Sequence, residues 1–391
     1  MPRQDSADRA EHSATSGRRV SRRGYLAAAG AAGLAAVAGC TGSPGGGTTI
    51  NIITWNDFAQ EPVVNSVEDE LGVTVEVEPS TSSTEMFQRM NQGGEFDIAV
   101  PNNNLVPRFL DAGIIEPVDM DVVTNYGDIY GKFRSFVDQQ FTRDGNAYGV
   151  PVRWGWYGYA YNTDELPEHT PSYRVMFEED YVDADLSGEI IMYDEAAKTM
   201  PVAALYLAAS ENDPSYREAL TENDRMTFSE QQLNAMRDLL IEQKPRLEGY
   251  ISSDTTFIQQ FQEGNFLVGH SGRNEIIRLR ENQGVENVEF VVPQEGAMAW
   301  YETAVVASES DNVETAFEVI NEYIAPGTGA ELARQGKSPS CNPNVADELD
   351  SREQELYGRI DPERFEQFIP FKDIASDVSD KYFSAWEEVK S

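Results

Sequence analysis

The stretch TINIITWNDF, residues 49–58, decides the fold. Residues 49–54 are rich in β-branched and apolar side chains and predict a strand that begins the globular part. A helix follows and ends at Gly72, a C-terminal stop. VTVEVE, residues 73–78, alternates apolar and polar side chains and predicts a second strand. The hydroxyl-rich residues 80–84, followed by Glu85, start a second helix, because side-chain oxygens there satisfy free backbone N–H groups. FDIAV, residues 96–100, is a short buried strand ending at Pro101, and residues 106–112 form a helix stopped by Gly113. Strand and helix alternating in this way imply a mostly parallel sheet with helices on both faces. Ligands of such sheets sit beyond the carboxyl ends of the strands. Here those ends are residues 54–58, 80–84 and 101–104.

A second unit follows. Residues 148–162, YGVPVRWGWYGYAYN, are extended and dense in aromatics and glycine. Residues 189–193 predict a strand of a second sheet, with a helix at 201–209. Further on we expect a helix at 256–263, strands at 265–270, 288–293 and 304–307, and a helix at 313–323. The chain from Ser351 onward is expected to be helical and acidic. The fold class is therefore α/β, with two mixed or parallel sheets and flanking helices. No internal repeat is visible.

The amino terminus carries an address rather than a fold element. SRRGYL, residues 21–26, resembles a twin-arginine export signal, and the apolar run behind it is too short to span a bilayer. VAGC, residues 37–40, resembles a lipobox, in which Cys40 receives lipid after cleavage. Residues 1–40 are thus expected to be a lipoprotein signal peptide and residues 41–48 a linker rich in Gly, Ser and Thr. With Cys40 lipidated, Cys341 has no partner, and a disulfide framework is excluded.

The formal charge is −37, from 67 acids against 30 bases, only seven of them lysine. The first 40 residues hold six Arg against two Asp and one Glu, a net of +3, so the remainder carries −40. Such a surface repels nucleic acid and anionic headgroups, and salt screens its self-repulsion; it suits a halophile. It also makes any single carboxylate weak evidence of a site.

Catalytic signatures are nearly absent. Beyond the leader only His169 and His270 remain, and no zinc-binding spacing, nucleophile elbow or phosphate loop occurs. No cofactor is implied, and the chain reads as a binder rather than an enzyme. Aromatic residues next to carboxylates are more telling: Trp55 with Asp57 at a strand end, and Trp300 with Glu302 beside a strand start. A ligand cleft needs flat aromatic walls and a few placed polar groups. Trp154, Trp156, Tyr157, Tyr159 and Tyr161 read as packing at a core or domain boundary.

Taken together, these blocks resemble the spermidine/putrescine-binding proteins of ABC importers, within the extracellular solute-binding superfamily. The resemblance rests on ITWNDF (53–58), EFDIAVP (95–101), LDAGIIEP (110–117), VPVRWG (150–155), GEIIMYDE (188–195) and EGAMAWYE (295–302), in that order. It implies two lobes joined by crossing strands, with lobe 1 from 49–155 and 301–340 and lobe 2 from 156–300 and 341–391. It further implies a ligand held between the lobes by Trp55, Asp57, Phe58, Glu195, Ser271, Trp300 and Glu302. Trp300 would pack on ligand methylenes and Glu302 would hold an ammonium. Phe58 stands where the family usually has tyrosine, Ser271 where it has a tryptophan, and Lys198 where it often has a second acid. Arg273 and Lys337 add further cations near the expected cleft. The implied ligand is a polyamine, an alkyl rod that suits aromatic faces and carboxylates. The implied partners are this small molecule and the permease subunits of a transporter, with the membrane met only through the lipid, no nucleic acid, and a monomeric protein on the outer face of the cytoplasmic membrane. A receptor for iron, a phosphonate or other anion, or an amino-acid-like solute is the alternative. A surface hydrolase and a purely structural lipoprotein are the rival classes.

Overall fold

A computed structural model describes residues 47–391. The twin arginines, Cys40 and residues 41–46 lie outside the described residues.

The predicted opening holds. Strand β1 (Thr49–Thr54) pairs in parallel with β2 (Thr74–Pro79) on one side and with β3 (Ile98–Ala99) on the other. The helix Glu61–Leu71 makes the first crossover, and Gly72 ends it at φ 66°, where a side chain would be strained. Ser82 caps the next helix, Ser83–Asn91, by accepting a hydrogen bond from the Glu85 N–H at 3.1 Å. A small hairpin, β4 (Thr142–Arg143) with β5 (Asn146–Ala147), stands apart from the main sheet.

The aromatic, glycine-rich stretch forms one long strand, β6 (Val150–Asn162), buried along all but its last residue. Beyond it, β7 (Ile190–Tyr193), β8 (Leu247–Ile251) and β9 (Val268–Gly272) run parallel to one another. β10 (Val288–Val291) is antiparallel to β6. β11 (Ala297–Val306) crosses back to the first strands, and β12 (Phe368–Pro370) lies parallel to it. The strand order is β2-β1-β3-β11-β6-β9-β7-β8. The two expected sheets are therefore joined through the antiparallel pair β6 and β11.

That pair divides its side chains between two apolar cores. One core takes Trp154 and Trp156 of β6 with Ala297, Ala299 and Tyr301 of β11. The other takes Tyr157, Tyr159 and Tyr161 of β6 with Met298 and Trp300 of β11. Along β11 this is the period-2 alternation of a strand with both faces covered. Burial on both faces explains why the sequence shows only 304–307 as a strand: residues 297–303 alternate between two interiors, not between core and water.

Three other expectations need correction. The helix expected from Pro201 begins at Ala196 and runs to Ser210, with Pro201 inside it. Burial of most of its residues outweighs the one backbone hydrogen bond that proline forgoes. The strand expected at 265–270 is Val268–Gly272, because Gly264 at φ 70° still belongs to the cap of the helix Asp254–Glu263. The carboxyl-terminal region is not wholly helical; it includes β12. No helix among the described residues is long and apolar enough to cross a membrane.

Where β6 and β11 pack most tightly, Gly155 lies under the Trp300 indole. A Cβ at residue 155 would meet ring atoms at 2.5 and 2.8 Å. Gly155→Ala is therefore expected to lower stability by roughly 1–3 kcal/mol in urea unfolding, the usual cost of overpacking. An unchanged midpoint would show that Trp300 moves aside freely.

Candidate functional site

A cleft of about 300 Å³ opens between the two cores. Its first wall is the carboxyl ends of β1, β2 and β3, represented by Trp55, Asp57, Thr81, Ser82, Asn102 and Asn104. Its floor is the crossing strands, through Arg153, Tyr157, Trp300 and Glu302. The second wall is made by the amino ends of three helices: Ala196–Ser210 with Glu195 and Lys198, Asp254–Glu263 with Ser253 and Asp254, and Arg273–Gln283 with Asn274, Glu275 and Arg278. The helix dipoles favour negative charge at such ends, which suits Glu195, Asp254 and Glu275. A hollow of about 550 Å³ near Asp97 and Ser310 is larger, but its lining lies on the side of the first core alone.

A buried ionic cluster organises the floor. Arg153 and Glu302 are direct cross-strand partners on β6 and β11, at a β-bulge between Glu302 and Thr303. The Arg153 guanidinium donates to Glu302 through Nε and Nη2, the latter at 2.9 Å, and through Nη2 to Asp57 at 2.9 Å. Arg278 Nη2 adds a second cation on Asp57, at 3.2 Å. Burial opposes the charge on Arg153, but Glu302 and Asp57 outweigh it and hold the guanidinium protonated. Burial pushes the Glu302 carboxyl up, and Arg153 pulls against it.

A second cluster lies across the cleft. Lys198 Nζ sits 3.1 Å from Glu195, 4.3 Å from the centre of the Tyr193 ring and 5.4 Å from that of Tyr157. Burial disfavours its charge, but Tyr157, Glu195 and Asp254 overcome that and raise its pKa. Tyr193 donates from its hydroxyl to Asp254 at 2.7 Å. Asp254 and Glu275 lie against each other. Burial would raise Asp254, yet Lys198 and hydrogen bonds from Glu275 and Tyr193 hold it low; burial and the Asp254 charge push Glu275 well up. The two carboxyl groups are thus driven apart in acidity, Asp254 down and Glu275 up. Trp55 Nε1 and Glu275 Oε2 are buried at the cleft without a hydrogen-bond partner.

Five of the seven expected ligand residues, Trp55, Asp57, Glu195, Trp300 and Glu302, are brought together in this cleft. Two are not. Phe58 points inward from the turn after β1, edge-on to Tyr323 at 5.2 Å and under the Arg153 guanidinium. Ser271 is fully buried in β9, where its Oγ meets neither the cleft nor a partner. The role expected of Glu302 also changes, because Arg153 already occupies its carboxylate. Lys198 lines the cleft, whereas Arg273 lies over the Trp156 ring at 5.2 Å and Lys337 over Tyr357 at 5.7 Å. Cys341 is buried with its thiol pKa pushed up, as an unreactive thiol would be. No cluster of three or more His, Cys, Asp or Glu side chains suited to a metal occurs among the described residues. Residue-by-residue reading missed Tyr157, Asp254, Glu275 and Arg278; the helix-start pattern SSDTT, residues 252–256, is the one signal that marks Asp254.

A sequence profile of the bacterial extracellular solute-binding proteins matches residues 63–356. The putrescine-binding periplasmic protein of Escherichia coli is 22% identical over 296 residues, covering 73% of this chain and 75% of that protein. The spermidine/putrescine-binding periplasmic protein of the same organism is 21% identical over 303 residues, covering 76% and 78%. Among solved structures, a lipoprotein of Treponema pallidum superposes with a TM-score of 0.72 at 20% identity, over 87% of this chain and 99% of that one. A spermidine/putrescine transporter protein of Listeria monocytogenes gives 0.69 at 22% identity, over 88% and 99%. The likeness confirms the two-lobed binding-protein fold.

Two measurements test this site. Arg153→Met leaves Glu302 as a buried, uncompensated charge and is expected to cost about 3–5 kcal/mol in urea unfolding; a loss under about 1 kcal/mol would mean the cluster does not hold the floor together. His270 lies in β9 between Tyr157 and Tyr193, with both ring nitrogens buried and unpartnered. Burial, helped by Lys198, lowers its pKa from 6.5 to about 3. Between those values only the unfolded chain binds this proton, so stability falls as pH drops through that window, by about 1.4 kcal/mol per unit. His270→Phe is expected to flatten the slope by that amount relative to wild type, and parallel pH profiles would refute it.

Proposed function

The chain belongs to the bacterial extracellular solute-binding protein family, and we propose that it is the receptor of an ABC importer for a small cationic alkylamine of the polyamine class. One observation carries the choice of ligand. The cleft joins aromatic faces from Trp55, Tyr157 and Trp300 to five carboxyl groups, on a floor shared by both cores. Aromatic faces and carboxylates are the groups that hold an alkyl chain ending in an ammonium. The relatives whose names specify putrescine or spermidine support the same class. The lobes, bounded at 49–155 with 301–340 and at 156–300 with 341–391, close on the ligand by bending β6 and β11, and the permease meets the closed form. The protein acts as a monomeric carrier without catalysis. Residues 1–40 export it, and lipid on Cys40 keeps it at the outer face of the membrane in a salt-rich medium.

The test is a thermal-shift panel on the purified protein in molar salt, with alkylamines, spermidine, agmatine, amino acids, ferric ion and phosphonates. A ligand present at about 100 times its Kd adds about 2.7 kcal/mol of stability. We expect an alkylamine to raise the midpoint and Trp300→Ala to abolish the rise. A rise with an anion or ferric ion alone would overturn the ligand class and leave the receptor standing.

A further inference from the structure

We infer that a hollow between Arg273 and Arg364 is a binding site for a carboxylate carried on an apolar body, separate from the amine cleft. The site is independent of the receptor reading above.

The hollow holds about 370 Å³ and shares no lining residue with the cleft. Four stretches of chain build it. β6 supplies Trp156, and β10 with the residue after it supplies Phe290 and Val292. The amino end of the helix Arg273–Gln283 supplies Arg273, and a helical turn, Pro362–Gln367, supplies Arg364 and Gln367. Gly158 lets β10 lie close to β6, because a Cβ there would meet the Phe290 ring at 2.9 Å.

The charge of this hollow is the reverse of the molecule's. The chain carries 67 acids against 30 bases, yet two arginines line the hollow and, among the described residues, no Asp or Glu does. Arg273 is largely buried and Arg364 is exposed. The Arg273 guanidinium lies over the Trp156 ring at 5.2 Å and donates from Nη1 to the Leu356 carbonyl. A ring face and a carbonyl offset part of its charge, but neither carries a negative charge of its own. Burial, together with the neighbouring cations Arg364 and Arg280, lowers its pKa to about 10. The nearby acids serve other cations. Glu289 pairs with Arg280 at 2.9 Å, and Glu366, on the same turn as Arg364, reaches Lys132 at 3.5 Å. Among the described residues no carboxylate forms an ion pair with Arg273 or Arg364.

Two unmatched guanidinium groups on one hollow call for an anion. Each offers paired N–H donors that fit a carboxylate or an oxyanion. The rest of the wall decides between them. Trp156, Phe290 and Val292 are apolar, and a strongly hydrated inorganic oxyanion leaves them uncovered. An aryl or alkyl carboxylate covers them and removes that area from water.

The test is a fluorine NMR titration of the purified protein with 4-fluorobenzoate, at constant ionic strength. Neutral 4-fluorobenzamide is the control, and sulfate is the competitor. The proteins are wild type, Arg364→Gln, Arg273→Gln and Lys198→Gln. Wild type is expected to bind the benzoate and not the amide. Arg364→Gln is expected to weaken binding about tenfold or more. Arg364 is exposed, so this variant keeps the core intact even if Arg273→Gln fails to fold. Lys198→Gln is expected to bind as wild type does, because that cation belongs to the cleft. No binding by wild type, equal binding of the amide, or unaltered binding by Arg364→Gln overturns the inference. So does loss of binding in Lys198→Gln, which would seat the anion in the cleft. Displacement of the probe by an equal concentration of sulfate would make this an inorganic anion site and overturn the carboxylate class. Each of these outcomes leaves the amine receptor standing, since the thermal-shift panel tests it separately.

Discussion

A single buried guanidinium, that of Arg153, is the constraint around which the rest is arranged. It sits on a crossing strand, nearly sealed from water, and so must be matched by charge at close range. Glu302 matches it from the neighbouring strand and Asp57 from the short helical turn after β1. The bulge at Glu302 falls where the two strands change from one register to the next. One ionic cluster thus ties three separate stretches of sequence to the bottom of the cleft. It also decides which carboxylates are spoken for before any ligand arrives.

The acidity of the chain as a whole contrasts with the restraint of its cleft. Over the full sequence acids outnumber bases by more than two to one. Inside the cleft five carboxyl groups face three cations. The outer acids are solvated, and salt screens them. The inner ones are held by guanidinium, ammonium, tyrosine hydroxyl and helix ends, which salt reaches far less. Surface charge and site charge answer to different physics, and so the net charge says little about what the cleft binds.

Much of the fold was legible in the chain. The strand at 49–54, the Gly72 stop, the cap at Ser82 and the helix at 313–323 follow from local rules: alternation, capping and glycine at positive φ. Legibility failed where partners are distant. β11 reads poorly because both of its faces are interior, and the helix at Ala196 reads poorly because a proline stands inside it. The site was half legible for the same reason. Trp55 with Asp57, at a strand end, and Trp300 with Glu302, read as beside a strand start, advertise themselves as aromatic–acid pairs. Nothing local shows that Glu302 is already taken by Arg153, that Phe58 turns inward, or that Asp254 and Glu275, from different helices, meet.

The sharing of β6 and β11 between two cores also orders events in time. The first core needs Ala297, Ala299, Tyr301 and Phe317, which leave the ribosome some 250 residues after β1. The second needs Ile369, Phe371 and Trp386, close to the end of the chain. Neither half can settle while synthesis is in progress, unlike domains that are contiguous in sequence and fold one after the other. The nascent chain carries β1–β3 without their β11 neighbour and its core residues until most of it has been made. Its dense negative charge repels other nascent chains during that interval.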